Sequence, residues 1–195
     1  MKETKKNILI TGITGQDGIF LTLELLKDPK KNVIGITREA NNKNFISNLK
    51  SLDKNVDISR VKTVNLDYLN IEELKILLND TNPEMLFNLT GPSSVYNSIN
   101  DSGYTKSTML SIFDNITNSL IESNKYIPFY QASSSEMFGV QKNPKYSKLN
   151  EDSSFNPNSP YAKGKLKIHK KINVLRKDYE WPIVSGIMFN HESEF

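Results

Sequence analysis

Tyr161 and Lys165 are four residues apart, the spacing that places two side chains on one face of a helix. A lysine ammonium beside a tyrosine favours the phenolate and so lowers a pKa that is ordinarily about 10. Such a phenolate can take the proton of a sugar hydroxyl while the same carbon loses a hydride. With 8 tyrosines in a lysine-rich chain of 195 residues, about one such pair is expected by chance. The pair is therefore informative only through its position in the fold.

A group of polar residues follows the predicted strand that precedes this pair. It includes Ser133, Ser134, Ser135 and Glu136, and the carboxyl ends of strands line the ligand crevice in doubly wound sheets. Ser134 can hydrogen-bond a substrate hydroxyl or a developing oxyanion, and Glu136 can act as an acid or a base. The alternative is a polar strand-to-loop transition in which the serines bond backbone groups. The residues themselves favour neither interpretation.

A glycine-rich turn lies between the first predicted strand and the first predicted helix. Its glycines, Gly12, Gly15 and Gly18, are spaced as G-x-x-G-x-x-G. The first permits a tight turn, the second a close approach of the backbone to a pyrophosphate, and the third close packing of helix on sheet. The free N–H groups at the helix start bind the anion. In this position the turn predicts a dinucleotide site, with a purely structural turn as the alternative.

The residue that follows the second predicted strand distinguishes the two nicotinamide dinucleotides. Arg38 lies there, and an arginine can bind the 2′-phosphate of NADP, whereas an acidic residue would accept a hydrogen bond from the ribose of NAD. Glu39 follows directly and weakens this preference. The sequence favours NADP, and an exposed loop arginine is the alternative.

Six short apolar runs, rich in Ile, Val and Phe, must position these groups. They are too continuous for half-exposed strands and predict strands buried on both faces, at residues 7–11, 32–37, 61–65, 85–89, 128–132 and 182–187. Between them the sequence predicts helices at residues 20–26, 71–78 and 109–121, and a polar loop with a short helix at 41–57. Ser159 and Pro160 predict the start of a further helix. The alternation predicts an α/β fold, a Rossmann-type doubly wound parallel sheet that occupies residues 1–195.

Composition excludes several classes of protein. The 195 residues contain no cysteine, which excludes a disulfide framework and a cysteine nucleophile, and two distant histidines make no metal site. A net charge of +3 is too small to indicate a nucleic-acid partner. No run reaches the roughly 18 apolar residues of a membrane span, and the first apolar run is too short for a signal peptide. We therefore expect a cytoplasmic protein with no membrane partner.

Taken together, these residues resemble the extended short-chain dehydrogenase/reductases that act on nucleotide sugars, and within that group the GDP-mannose 4,6-dehydratase family. The resemblance rests on the glycine turn, on the serine and glutamate residues after the fifth strand, and on Ser159 to Ala162. The segment from Phe189 to Ser193, with Asn190, His191 and Glu192 between, is the most specific part. The resemblance covers essentially the whole chain.

This resemblance implies a redox-neutral loss of water from GDP-mannose, on the route to GDP-fucose. Tyr161, assisted by Lys165, would deprotonate the C4 hydroxyl as a hydride passes to NADP. Glu136 would remove the C5 proton, and the C6 hydroxyl would leave as water with help from Ser134, where the family usually has threonine. The hydride would then return to C6 and give a 4-keto-6-deoxy sugar.

The resemblance also implies which residues bind the cofactor and the substrate. Ser135 and Asn190 would contact the sugar nucleotide. The residues that would contact NADP are Gly12, Ile13, Thr14, Gly15, Gln16, Asp17, Arg38, Asp67, Tyr68, Leu89, Thr90, Gly91, Pro92, Ser93, Tyr104, Lys165 and His191.

Members of the family continue well past the segment at 189–193, so we expect the C-terminal substrate domain to be largely absent. Two alternatives stay open. One is another nucleotide-sugar dehydratase or an epimerase, although Glu136, Asn190 and His191 argue against the epimerase. The other is a non-catalytic NADP-binding remnant that needs a partner chain. Besides the nucleotide sugar, the expected partner is a second copy of the chain or a complementing chain.

Overall fold

The computed structural model describes residues 5–37, 42–91, 102–140 and 148–193, with the backbone alone for 102–107. Within these ranges the strands are β1 (Lys6–Thr11), β2 (Lys31–Thr37), β3 (Val61–Asn65), β4 (Met85–Asn88), β5 (Phe129–Ala132) and β6 (Ile183–Gly186). The helices are α1 (Gln16–Leu26), α2 (Lys43–Leu52), α3 (Ile71–Thr81), α4 (Ser102–Glu122) and α5 (Pro160–Tyr179), with short 3-10 turns at Ile58–Arg60 and Ser135–Phe138. In this part of the chain no helix has the length and apolarity that crossing a membrane requires.

The strands form one parallel sheet in the order β3-β2-β1-β4-β5-β6. This is the strand order of a Rossmann fold, and the predicted α/β architecture is confirmed. Each predicted strand agrees with the observed one to within one residue at either end. The order reverses between β1 and β4, so a crevice is expected at the carboxyl ends of these two strands.

Apolar side chains cover both faces of the sheet. Leu9, Leu86 and Phe129 face α3, α4 and α5 and belong to the larger cluster, whereas Ile8 and Ile10 face α1 and α2. The expectation of strands buried on both faces is wrong at the sheet edges. β3 is half-buried to exposed along its length and Val184 of β6 is exposed, because an edge strand has a neighbour on one side only.

The helix that carries Tyr161 and Lys165 begins as predicted. The Ser159 hydroxyl accepts a hydrogen bond from the Ala162 N–H at 3.0 Å, and Pro160 is the first helical residue, where its missing N–H costs nothing. α5 packs on the sheet through Ile168 and Ile172. Its first turn therefore lies at the carboxyl edge of the sheet, beside the end of β5.

Candidate active site

A cleft of about 880 Å³ opens at the carboxyl edge of the sheet, where the strand order reverses. Its walls come from the glycine turn, the ends of β4 and β5, the first turn of α5 and the segment after β6. The lining residues are Gly12, Thr14, Gly15, Gln16, Asp17, Gly18, Thr37, Tyr68, Leu89, Thr90, Gly91, Ala132, Ser133, Ser134, Tyr161, Lys165, Met188, Phe189, Asn190, His191 and Glu192. Thr37 and Met188 were not predicted; Thr37 is the last residue of β2 and Met188 follows β6, so their position at a strand end was their only sequence signal.

The glycine turn has the close approaches that its spacing predicts. Gly12 has a φ of +69°, and a Cβ built there would lie 3.2 Å from backbone atoms of the β4 end. A Cβ at Gly18 would lie 2.4 Å from the carbonyl oxygen of Ile13, so α1 can pack this closely only with glycine. Gly15 caps α1 in extended backbone, and no side chain caps the helix. The first N–H groups of α1 therefore face the cleft without a side-chain partner at the cap.

Tyr68 connects the glycine turn to β2 through two hydrogen bonds of its hydroxyl. Its hydroxyl accepts a hydrogen bond from the Gly12 N–H at 3.1 Å and donates to the carbonyl of Ile36 on β2 at 3.0 Å. Tyr68 is 2% exposed, although it lines the cleft. The predicted cofactor residue thus also fixes the glycine turn against the sheet.

Lys165 lies in the floor of the cleft. Its Nζ donates to the carbonyl of Ala132 at 2.7 Å and lies 5.6 Å from the centroid of the Tyr161 ring. Burial lowers the pKa of Lys165 to about 8. The helical spacing of the two residues brings them together as the sequence predicts, with Lys165 at the end of β5.

The pKa of Tyr161 is shifted in the direction opposite to the prediction. Burial raises this pKa, a hydrogen bond with Ser134 opposes the rise, and the charge of Glu136 adds to it. The expected lowering by Lys165 is therefore wrong for this arrangement, because the ammonium is directed at the Ala132 carbonyl and desolvation of the phenolate dominates.

Ser134 and Glu136 lie on either side of the boundary of the cleft. The buried Ser134 hydroxyl accepts from the Glu136 N–H at 3.2 Å and also bonds Tyr161, so it caps the 3-10 turn and faces the site. Glu136 is exposed and lines a neighbouring hollow of about 590 Å³ together with Ser135. Ser134 therefore fits both interpretations of the serines, since it bonds a backbone group and also contacts a candidate catalytic side chain.

The segment after β6 crosses the mouth of the cleft. The His191 Nε2 lies 2.7 Å from a carboxylate oxygen of Asp17, and its Nδ1 lies 2.8 Å from the carbonyl oxygen of Phe189. Gln16 donates to the His191 carbonyl at 3.4 Å. The Phe189 carbonyl and then the Asp17 carboxylate raise the pKa of His191. Three predicted cofactor residues therefore meet here and contact one another, while Asn190 lies exposed beside them.

The remaining predicted residues lie in different places. Thr14, Leu89, Thr90 and Gly91 line the cleft, whereas the side chain of Ile13 is fully buried in the core. Asp67 does not line it, and its carboxylate accepts from the Leu69 N–H at 2.9 Å in the turn after β3. The predictions for Arg38, Pro92 and Ser93 and for the side chain of Tyr104 fall outside the described residues.

Three polar residues that the sequence analysis did not assign lie directly beneath the cleft. Thr11, Asn88 and Gln131 are buried and hydrogen-bonded to one another. Their sequence signal is shared: each is a polar residue at or near the end of an apolar strand. The strand order that makes them neighbours was needed to recognise them as a group.

The residues present fit a pyrophosphate-linked dinucleotide. The glycine turn lines the cleft, and the N-terminus of α1, which no side chain caps, faces it. The buried hydroxyl of Thr90 in the cleft wall has no hydrogen-bond partner among the described residues, so it is available to a ligand. Over the same ranges no cluster of three His, Asp or Glu side chains could hold a metal ion.

Comparison with known proteins agrees with this arrangement. The family model described as GDP-mannose 4,6 dehydratase matches residues 9–195. A GDP-mannose 4,6 dehydratase of Drosophila melanogaster is 37% identical over 96% of this chain and 48% of its own length. GDP-mannose 4,6 dehydratase 2 of Arabidopsis thaliana is 34% identical over 98% of this chain and 52% of its own. The chain thus spans about half the length of the curated relatives it matches.

Solved structures share the fold at lower identity. The UDP-glucose 4-epimerase of Brucella ovis, solved in complex with NAD, superposes with a TM-score of 0.78 at 18% identity, over 95% of this chain and 52% of its own. The dTDP-glucose 4,6-dehydratase of Streptomyces venezuelae gives 0.73 at 20% identity, over 92% and 54%. With the fold, the glycine turn and a family model that matches nearly every residue, the chain belongs to the GDP-mannose 4,6-dehydratase family.

Proposed function

We propose that the chain carries the cofactor-binding and proton-transfer half of a nucleotide-sugar dehydratase, with NADP as its dinucleotide and GDP-mannose as its substrate. The observation that supports this most directly is the convergence of Tyr161, Lys165 and Ser134 in the cleft that the glycine turn lines. Family membership supports the choice of substrate and reaction.

Several of the chain's own groups would hold the dinucleotide. The N–H groups at the start of α1 would bind the pyrophosphate, and Thr90 and Lys165 would donate to the ribose and nicotinamide side. Arg38, after β2, would bind the 2′-phosphate that distinguishes NADP. When bound, the dinucleotide supplies an acceptor for a hydride from sugar C4 and the donor of a hydride to C6.

Tyr161 would act as the general base toward the C4 hydroxyl. The deprotonated Tyr161, with the Ser134 hydroxyl donating to its phenolate oxygen, would take the proton of the C4 hydroxyl and become the phenol as the hydride leaves C4. The Lys165 ammonium, 5.6 Å from the ring centroid, would add a weaker stabilisation of the same charge, which does not offset the effect of burial. Because burial raises the pKa of Tyr161, these two partners must supply the stabilisation that water would give an exposed phenolate.

Glu136 would serve the second proton transfer. Its carboxylate lies in the hollow beside the cleft, close enough for its charge to act on Tyr161. It would take the proton from C5, which the C4 ketone acidifies, and give a proton to the departing C6 hydroxyl so that water leaves. An epimerase that acts at C4 needs no base at C5, so this carboxylate favours the dehydratase over a 4-epimerase.

A second candidate function is a dinucleotide-binding unit that a partner chain completes. The observation in its favour is that Glu136, the residue proposed for the second proton transfer, lines a neighbouring hollow and not the cleft itself. In that case the cleft would bind NADP but would not turn over the sugar nucleotide alone.

The test is product formation from GDP-mannose with NADP by the wild-type chain, by Tyr161→Phe and by Tyr179→Phe. Tyr179 ends the same helix and stacks on Tyr126, away from the cleft, so it is the matched control. We expect a 4-keto-6-deoxy product from the wild type and the control, and a loss of at least about a hundredfold in Tyr161→Phe. An equally active Tyr161→Phe would contradict the proposal. NADP binding without product in all three would favour the partner-dependent unit.

A further inference from the structure

We propose that Thr11, Asn88 and Gln131 form a buried positioning chain that fixes the carbonyl of Ala132 and, through it, the ammonium of Lys165. This inference deepens the proposed function and rests on it, because it names the residues that hold Lys165 where the reaction needs it. None of the three residues lines the cleft, so none would touch the substrate or the dinucleotide. They are positioning residues that act through Lys165.

The chain of hydrogen bonds crosses three adjacent strands at one level of the sheet. Thr11 is in register with Asn88, and Asn88 with Gln131. The Thr11 hydroxyl donates to Asn88 Oδ1 at 2.5 Å, and Asn88 Nδ2 donates to Gln131 Oε1 at 2.7 Å. Gln131 Nε2 then donates to the Ala132 carbonyl at 2.9 Å, the oxygen that also accepts from Lys165 Nζ at 2.7 Å.

The three bonds from Thr11 to the Ala132 carbonyl run in the same direction, and Lys165 donates to that carbonyl from the other side. Thr11, Asn88 and Gln131 are at most 2% exposed, so a side chain that turned away would leave a buried polar group without a partner. The Ala132 oxygen has two side-chain N–H donors, the number that its two lone pairs accept. The direction of the Ala132 carbonyl, and with it the position of the ammonium, is thereby fixed from two sides.

The composition of the strands indicates that these polar residues do more than fill space. Two positions earlier, on the same face of the sheet, the strands carry Leu9, Leu86 and Phe129, which belong to the apolar core. Apolar residues could equally fill the positions of Thr11, Asn88 and Gln131, without the cost of burying polar groups. The polar level occurs where the sheet meets the helix that carries Lys165.

The row of polar residues continues into β6, where it makes a second contact with α5. Ser185 is in register with Gln131, and its hydroxyl lies 3.0 Å from Nδ1 of His169. His169 and Lys165 are four residues apart and therefore lie on one face of α5. This row of polar residues thus contacts two successive turns of α5. The two contacts fix the position of α5 along the sheet, and with it the position of Lys165 in the cleft.

The experiment follows the Lys165 side chain by NMR in protein with ¹³C-labelled lysine, with the signal assigned by its loss in Lys165→Arg. The test variants are Thr11→Val, which is isosteric and two side chains away from Ala132, and Gln131→Met, which keeps the volume of the side chain. Thr11→Ser keeps the hydroxyl. Thr117→Val is the matched control, since that buried hydroxyl bonds only its own helix, at Phe113 and Asp114.

We expect Thr11→Val and Gln131→Met each to raise the titration midpoint of Lys165 by about half a pH unit or more, because a loosened carbonyl admits water to the ammonium. Thr11→Ser and Thr117→Val should leave the midpoint in place. Tyr161 contacts Lys165, His169 lies one turn further along α5, and the charge of Glu136 acts on Tyr161; all three are present in every variant. An unchanged midpoint in folded Thr11→Val would overturn the proposal, even if Gln131→Met failed to fold.

This titration needs neither turnover nor a bound dinucleotide. An unchanged midpoint would therefore refute the positioning chain and leave the proposed function standing. Conversely, a chain that bound no NADP would refute the proposed function, while a shifted midpoint would still establish the link from Thr11 to Lys165.

Discussion

Burial acts on Lys165 and Tyr161 through the same mechanism, since it favours the uncharged form of each. It lowers the pKa of the lysine to about 8 and raises that of the tyrosine. The spacing of the pair predicted their contact correctly but not the direction of the tyrosine shift. That direction depends on how much water the first turn of α5 excludes, which side-chain spacing does not encode.

The buried lysine predicts a pH dependence of stability. The unfolded chain has a lysine pKa of about 10.4, above the value of about 8 in the fold, so between these values the unfolded state binds more protons and stability rises with pH. Relative to Lys165→Met, the wild type should gain about 2 kcal/mol of unfolding free energy between pH 7 and pH 10. Urea denaturation at both pH values measures this. Lys163→Met, exposed on the same helix, is the control, and parallel profiles for wild type and Lys165→Met would contradict the burial of an ammonium.

The three turn glycines should differ in their tolerance of a methyl group. Gly12→Ala must adopt a positive φ and crowd the β4 end, so we expect it to lose about 1–2 kcal/mol of unfolding free energy. Gly18→Ala should lose more, because its Cβ would meet the Ile13 carbonyl at 2.4 Å. Gly15→Ala meets only an ordinary contact at 3.4 Å and serves as the control. Equal stability of all three variants in urea denaturation would be inconsistent with the turn described here.

Most of the candidate site could be predicted residue by residue, since strand ends, turn glycines and helix caps carry strong local signals. Asp67 and Ile13 were assigned to cofactor contact by resemblance, and these assignments stay predictions: Asp67 lies in the turn after β3, and the side chain of Ile13 lies in the core. The positioning chain was not predicted. Thr11 and Asn88 are 77 residues apart, and only the strand order makes them neighbours.

At the scale of elements, the segment at 189–193 is the part that joins the two sides of the cleft. It leaves β6, crosses the mouth and is attached to α1 through His191 and Asp17. This attachment depends on a group that titrates near neutral pH. The elements on either side of it, β6 and α1, are fixed by the sheet and need no such contact.

The His191 contact should weaken as the solution becomes more alkaline. Because the folded pKa is raised, by the Phe189 carbonyl first and by Asp17 second, the stabilisation is complete below the unfolded value of about 6.5 and disappears as pH rises through the folded value. NMR titration of the two histidines measures this, with the half-buried His169, whose pKa is lowered by burial, as internal reference. Asp17→Asn should lower the His191 midpoint, and Asp67→Asn should not. A His191 midpoint unmoved by Asp17→Asn would exclude the ion pair.

At the scale of the whole molecule, the apolar runs were sufficient to predict a doubly wound parallel sheet, and the structure adds its strand order. The burial of the outer strands was not predictable in the same way. β3 carries Lys62, Thr63 and Asn65 among its five residues and lies at one edge, whereas β6 lies at the other edge and exposes its apolar Val184. Edge position is a property of the assembled sheet.

The central claim is that the cleft between β1 and β4 binds a nicotinamide dinucleotide. Isothermal titration calorimetry of the chain with NADP, and separately with NAD, tests it most directly. We expect one saturable site per chain, with binding about tenfold tighter or more for NADP than for NAD and weaker binding in Lys165→Met. A folded chain that shows no saturable binding of either dinucleotide would contradict it.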